Sequence, residues 1–417
     1  MMMRFEGKRK LLDTITLLGS SSGRNAGDAA ILSGIMDTVD AACGTPLAYE
    51  IPTLKPAFIR DAYANRTRPI GMMPWNGSVK MLGLPTYRSV MRTHYTLIFD
   101  AILFDRSLYN PLFNFLSTLY LLLPRARRKG KRMACFNVGA GPVDTPAGRR
   151  MLRAVADCMD FITVRDQESM DILRDVGAQT PRILLAADAA VNVTPAPEKR
   201  VDAILGKLGL SRDDEILAVN VNQYLDTWAR PKREPMGKEQ FLQILSAAVN
   251  QVADETGAAV LCVPTQHHDV PITEEFMARL TRARAVAMVA NRDFSHYEIK
   301  GVLGACSMLL AMRLHASILG ASALAPTLGL AYQPKVEFFY NQLGMPERNI
   351  RFDRFTVEDL RRHLLQGWAD RNEIRRQLEV RIPPLQQDAC KAANVVASIR
   401  RGEDMDEAFS RAAGHST

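Results

Sequence analysis

The segment Met312-Arg313-Leu314-His315 sets a permanent cation two residues from a titratable imidazole, between the apolar run 308–311 and the helix-forming run 316–323. A strand that delivers Arg-x-His to the mouth of a helix places both side chains beside backbone N–H groups for which the helix has no acceptors. Such a corner can hold an anion through the guanidinium and the amides, and can move a proton through the imidazole. Arg165 follows another apolar run, 161–164, and suits a carboxylate or phosphate fork, or an ion pair with Asp166 or Glu168. In Asn25-Ala26-Gly27-Asp28, Asp28 could cap a helix, or orient and deprotonate an acceptor hydroxyl. The loop before it has neither G-x-G-x-x-G nor the Lys-Ser/Thr of a phosphate-binding loop, so it carries no nucleotide fingerprint. In Asn137-Val138-Gly139-Ala140-Gly141-Pro142, Gly139 and Gly141 let backbone come close to a ligand. His267-His268-Asp269 has metal-binding residue types, yet no further His, Cys or carboxylate stands at ligand spacing, and no metal is expected.

These side chains need strands to hold them. Residues 13–19, 132–138, 161–164 and 182–186 read as strands, with another near 47–51, and helices are expected over 28–40, 146–159 and 167–176. Residues 52–96 are irregular, and 97–123 are apolar and read as helical. The Pro-rich, polar stretch 192–200 has the character of an interdomain linker. Beyond it strands at 216–221, 258–263, 285–289, 308–311 and 327–331 alternate with helices at 238–255, 273–284, 296–305, 316–323 and 335–343, and a charged helical tail follows 355. Alternation of this kind means parallel sheets. The expected fold is α/β, two Rossmann-like parallel-sheet domains facing across a cleft (GT-B-like), one over 1–195 and one over 196–417. In open sheets of this type ligands bind beyond the carboxyl ends of strands, where the motifs above fall.

Composition narrows the class. With 417 residues, 47% hydrophobic and 24% charged, the chain is neither disordered nor fibrous and is long enough for two domains. A net charge of +8 fits an anionic partner. Six scattered cysteines without a C-x-x-C fit a reducing cytoplasm. The N-terminus reads as a first strand, not a signal peptide, and no apolar run reaches the ~18 residues of a membrane span. The apolar run 112–123 is followed by Arg125, Arg127, Arg128, Lys129, Lys131 and Arg132. That pattern suits either a core helix with a solvated basic turn or contact with an anionic membrane surface. The cations are not interleaved with aromatics, so nucleic acid is not an expected partner.

Asn25-x-Gly27-Asp28, Gly139-x-Gly141-Pro142, Val164-Arg165-Asp166-x-x-Ser169, Asp188, Arg313-Leu314-His315, Pro326 and Tyr332-x-Pro334-Lys335-Val336 form an ordered set across residues 13–345. In that order and spacing the chain resembles the polysaccharide pyruvyl transferase family. The resemblance implies transfer of a pyruvyl group from phosphoenolpyruvate to sugar hydroxyls of a cell-surface polysaccharide or its lipid-linked precursor, giving a cyclic ketal. It implies His315 as general acid, Asp28 on the acceptor side, and Arg313, Arg165 and Lys335 around the donor's phosphate and carboxylate. The donor is then a substrate, and neither cofactor nor metal is expected. The acceptor domain would be the N-terminal one and the phosphoenolpyruvate domain the C-terminal one, in a cytoplasmic protein that could sit at the inner face of the membrane. A GT-B glycosyltransferase using a nucleotide sugar is the main alternative, and a non-catalytic scaffold in polysaccharide assembly is another.

Overall fold

Short, mostly apolar runs become strands, buried except at the sheet edges, and every pairing between them is parallel. A computed structural model describes residues 12–63, 65–71, 79–105, 115–179, 182–223, 236–351 and 355–414. The described residues gather into two compact units, one of 12–23, 31–189 and 386–414, the other of 24–30 and 190–385.

The first unit holds β1 (Thr14–Leu18), β2 (Ala48–Thr53), β3 (Thr67–Gly71), β4 (Tyr95–Ile98), β5 (Arg132–Val138), β6 (Phe161–Val164) and β7 (Arg182–Leu185), in the order β3-β2-β1-β4-β5-β6-β7. Helix Ala26–Cys43 follows β1, and its Ile31, Leu32, Ile35, Met36 and Val39 are at most 2% exposed, as their 3–4 residue spacing requires. Helix Gln167–Asp175 starts where the Asp166 side chain accepts the Ser169 N–H at 2.8 Å. Residues 386–414 close this unit. Asn137 Nδ2 donates to the Ala389 carbonyl at 2.9 Å, and buried Lys391 donates to the Leu185 carbonyl at 3.2 Å.

The second unit holds β8 (Ile216–Asn220), β9 (Ala259–Cys262), β10 (Val286–Met288), β11 (Met308–Ala311), β12 (Thr327–Ala331) and β13 (Asn349–Arg351), in the order β10-β9-β8-β11-β12-β13. The strand order turns back between β1 and β4 in one sheet and between β8 and β11 in the other. Those are the switch points where a crevice opens outside the strand ends.

Two stretches differ from their sequence reading. The run 97–123 starts inside β4, which takes in residues 97 and 98, the helix begins only at Phe115 and runs to Arg128, and 106–114 lie outside the described residues. A continuous apolar run fits a doubly buried strand as well as a helix, so periodicity cannot separate them. Residues 52–96, irregular in composition, contain helix Pro56–Tyr63, β3 and helix Val79–Arg92. No described helix is long and apolar enough to cross a membrane.

Candidate active site

The switch point of the second unit gathers polar side chains from three strand ends. Asn220, the last residue of β8, accepts the Arg313 N–H on Oδ1 at 2.9 Å and donates through Nδ2 to the Val263 carbonyl at 2.8 Å. One buried amide thus ties the exits of β9 and β11 to that of β8. Arg313 is extended (φ −86°, ψ 136°) and caps helix Leu314–Ser322, so His315 falls in the first helical turn, where main-chain N–H groups point outward.

The Arg313 guanidinium is fixed from behind. Asp269, fully buried, accepts from Arg313 Nε and, at 2.7 Å, from Nη2, and also takes the Gln223 N–H at 3.1 Å. Asn222 Oδ1 accepts from Nη2 at 3.2 Å. A bidentate carboxylate sets both the plane and the direction of a guanidinium.

A short stretch from the start of the chain completes this corner. The Ala26 N–H donates to the Thr265 carbonyl at 2.8 Å, the His267 N–H donates to the Arg24 carbonyl at 3.0 Å, and Asn25 bridges to Gln266. Asn25 Oδ1 accepts the Gly27 N–H at 2.9 Å while Nδ2 donates to Asp28 Oδ1 at 2.6 Å. Gly27 lies flat against His315, since a Cβ there would stand 2.2 Å from the imidazole Nδ1. Only glycine allows that approach. His267, half-buried, has a pKa below its usual value. Burial is the main cause, Arg24, His268 and Arg292 add to it, and a hydrogen bond to the Asn291 backbone opposes it.

Asn25, Asp28, Arg313 and His315 therefore meet in one unit, with the turn that carries Asn25 and Asp28 resting on His315 through Gly27. Lys335 belongs to the same unit, exposed in the first turn of helix Pro334–Gln342. Arg165, Gly139 and Gly141 lie at the strand ends of the other unit. There Arg165, 7% exposed, donates to Asp188 at 2.8 Å and lies 3.7 Å from Asp166. Burial pulls its pKa down, but Asp188, Asp166 and Asp100 together raise it above the usual arginine value. A Cβ on Gly139 would stand 2.9 Å from Arg165 Nη2, so the guanidinium lies on bare backbone. Asp100 and Asn137, at the ends of β4 and β5, hold φ of 68° and 47°, a region non-glycine residues enter at a cost.

Asp269, Asn220 and Asn222 are the partners the sequence reading missed. Asp269 stood in the run weighed for metal binding, and the two asparagines stood unremarked at the end of Ile216-Leu-Ala-Val-Asn-Val-Asn222. A polar residue closing an apolar strand was the available signal. Among the described residues no group of three or more His, Cys, Asp or Glu could hold a metal ion.

Two parallel α/β units, each with its switch point, make this a GT-B-like protein, and solved structures share that fold over nearly the whole chain. A putative UDP-N-acetylglucosamine 2-epimerase from Listeria monocytogenes covers 94% of this chain and 98% of its own, with a TM-score of 0.64 and 10% identity. A glycosyltransferase from Rickettsia africae ESF-5 covers 94% and 99%, with a TM-score of 0.57 and 10% identity. The profile of the family "Polysaccharide pyruvyl transferase" matches residues 25–334, and the chain belongs to that family. The amylovoran biosynthesis protein AmsJ of Erwinia amylovora is 22% identical over 374 residues, 80% of this chain and 86% of that one.

Proposed function

We propose that this transferase moves a pyruvyl group from phosphoenolpyruvate to two hydroxyls of an exopolysaccharide or its lipid-linked precursor, forming a cyclic ketal and releasing phosphate. The observation that carries this reading is the preset Arg313–Asp269 fork beside His315 and the helix amides, in a chain of this family.

In this scheme Arg313 and the first-turn amides of helix Leu314–Ser322 receive the donor phosphate, and Lys335 adds charge at the rim. His315 protonates the methylene carbon of the enol, which becomes a methyl group and leaves an oxocarbenium-like centre. A sugar hydroxyl attacks that carbon and gives its proton to Asp28. The bond to the phosphate oxygen then breaks, phosphate leaves, and the second hydroxyl closes the ketal with loss of its own proton. Asn25 holds Asp28 through the 2.6 Å hydrogen bond. Arg165, facing three carboxylates, has little positive charge to offer a phosphate. The scheme uses no cofactor and no metal. A phosphoenolpyruvate-dependent reaction belongs in the cytoplasm, and a lipid-linked acceptor would bring it to the inner membrane face.

The test is thermal stability of the purified chain with phosphoenolpyruvate, with UDP-sugars and with buffer, repeated on Arg313→Ala. A ligand at 100 times its Kd adds about 2.7 kcal/mol. Stabilisation by phosphoenolpyruvate that the variant loses is the expected result. Stabilisation by a UDP-sugar alone would overturn the reading in favour of a nucleotide-sugar glycosyltransferase.

A further inference from the structure

Helices Val79–Arg92 and Phe115–Arg128 touch in the first unit: a Cβ on Gly83 would stand 3.3 Å from Leu122 Cδ2, and Lys129 Nζ lies 5.9 Å above the Tyr87 ring. Large exposed hydrophobic residues concentrate on this pair. Of the four such residues among those described, three are here, Leu84 at 48%, Tyr120 at 43% and Leu121 at 40%. Each exposed leucine is followed one turn later by an exposed arginine: Leu84 by Arg88, and Leu121 by Arg125, with Arg128 a further turn along. Positions i, i+4 and i+7 share one helix face. Arg125 folds back so that its Nη1 donates to the Leu121 carbonyl, which keeps its charge beside the exposed apolar group.

The charge on this face has one sign. Residues 79–92 and 115–132 contain nine Lys and Arg and no Asp or Glu. Three of the nine are committed internally, Arg92 to Glu50 and both Arg127 and Arg132 to Asp160. Arg88, Arg125, Arg128 and Lys129 are exposed.

We propose that this face docks on an anionic lipid bilayer. Leu84, Tyr120 and Leu121 enter the boundary between headgroups and acyl chains, and Arg88, Arg125, Arg128 and Lys129 meet the lipid phosphates. A tyrosine beside leucines, with long cationic side chains reaching past them, matches the apolar-to-polar gradient at that depth. Cations alone would bind an anionic leaflet weakly and release in salt, and exposed leucines alone would favour self-association. Their pairing one turn apart on two touching helices is what a charged bilayer surface complements. The proposal goes beyond the chemistry above and does not depend on it.

Co-sedimentation of the full chain with phosphatidylcholine vesicles, with and without phosphatidylglycerol, tests it in the absence of any substrate. Binding should be strong only with the anionic lipid. It should fall about thirty-fold in Arg125→Gln/Arg128→Gln, as the loss of two surface cations predicts, and at least about ten-fold in Tyr120→Ser/Leu121→Ser. Arg127 is left in place because it neutralises buried Asp160. Unchanged melting curves for both variants would establish that the fold survives. Equal sedimentation with neutral vesicles, no sedimentation with either, or anionic-vesicle binding that both well-folded variants retain would each overturn the proposal. Donor stabilisation, read separately, reports on the pyruvyl-transfer reading alone.

Discussion

Arg313 is held by Asp269 and Asn222 before any substrate arrives, so it is poised for one ligand geometry and loses little side-chain freedom on binding. Asp269→Asn keeps the volume of the side chain but removes the charge that orients the fork. We expect the phosphoenolpyruvate KM to rise at least about ten-fold, with a smaller change in kcat, and stability to fall by about 1–3 kcal/mol because one guanidinium donor loses its acceptor. Steady-state kinetics and melting curves check the two parts, and an unaltered KM would show that Asp269 does not position Arg313. Gly27→Ala puts a carbon where the His315 ring already is, 2.2 Å from Nδ1, so the imidazole must turn away. Turnover should drop at least about ten-fold, with an overpacking cost of about 1–3 kcal/mol. Normal turnover in a folded Gly27→Ala protein would count against His315 as proton donor. At this scale Arg313 and His315 were legible because they sit together at an obvious strand end. Asp269 and Asn220 were not, since they lie 44 and 93 residues from Arg313 and only strand order brings them near.

Elements were legible where their pattern was unambiguous. The β11-to-helix turn and the strands 161–164 and 308–311 follow from short apolar runs between turn residues. β13, three residues long and partly exposed, leaves no periodic trace. Helix His296–Gly304 shows a different kind of information. Ser295 and Glu298 form a capping box, and His296 behind it is buried, which lowers its pKa to about 3. An unfolded imidazole takes up a proton below about pH 6.5, but this one in the folded protein does so only near 3. Stability from this group is therefore complete above the unfolded value and is lost as pH falls towards 3. Between about pH 7.5 and about pH 5 the loss should be about 2 kcal/mol. Melting temperatures across that range should fall more steeply in the wild type than in His296→Gln, and parallel slopes would refute the assignment.

Across the molecule, parallel alternation made the fold class legible, and the same linear reading had no means of showing where the chain returns. Residues 386–414 belong with β1–β7, and Ala389, Ala392, Ala393, Val395 and Val396 are completely buried there. Asn137, in its left-handed backbone conformation, is held by the Ala389 carbonyl. Truncation after Leu385 should raise hydrogen exchange at β5–β7 while β8–β13 stay protected, and equal loss of protection in both sheets would contradict this division.

The same return sets an order of events during synthesis. The first unit is the first to be made, yet its last helices emerge only after all 196 residues from 190 to 385. At 5–20 residues per second that delay is roughly 10–40 s. Throughout it the chain of the second unit is being completed, while the β1–β7 sheet has apolar surface that nothing yet covers. A nascent chain of this kind has a built-in interval in which a chaperone can hold it, and its first-made half becomes finished last.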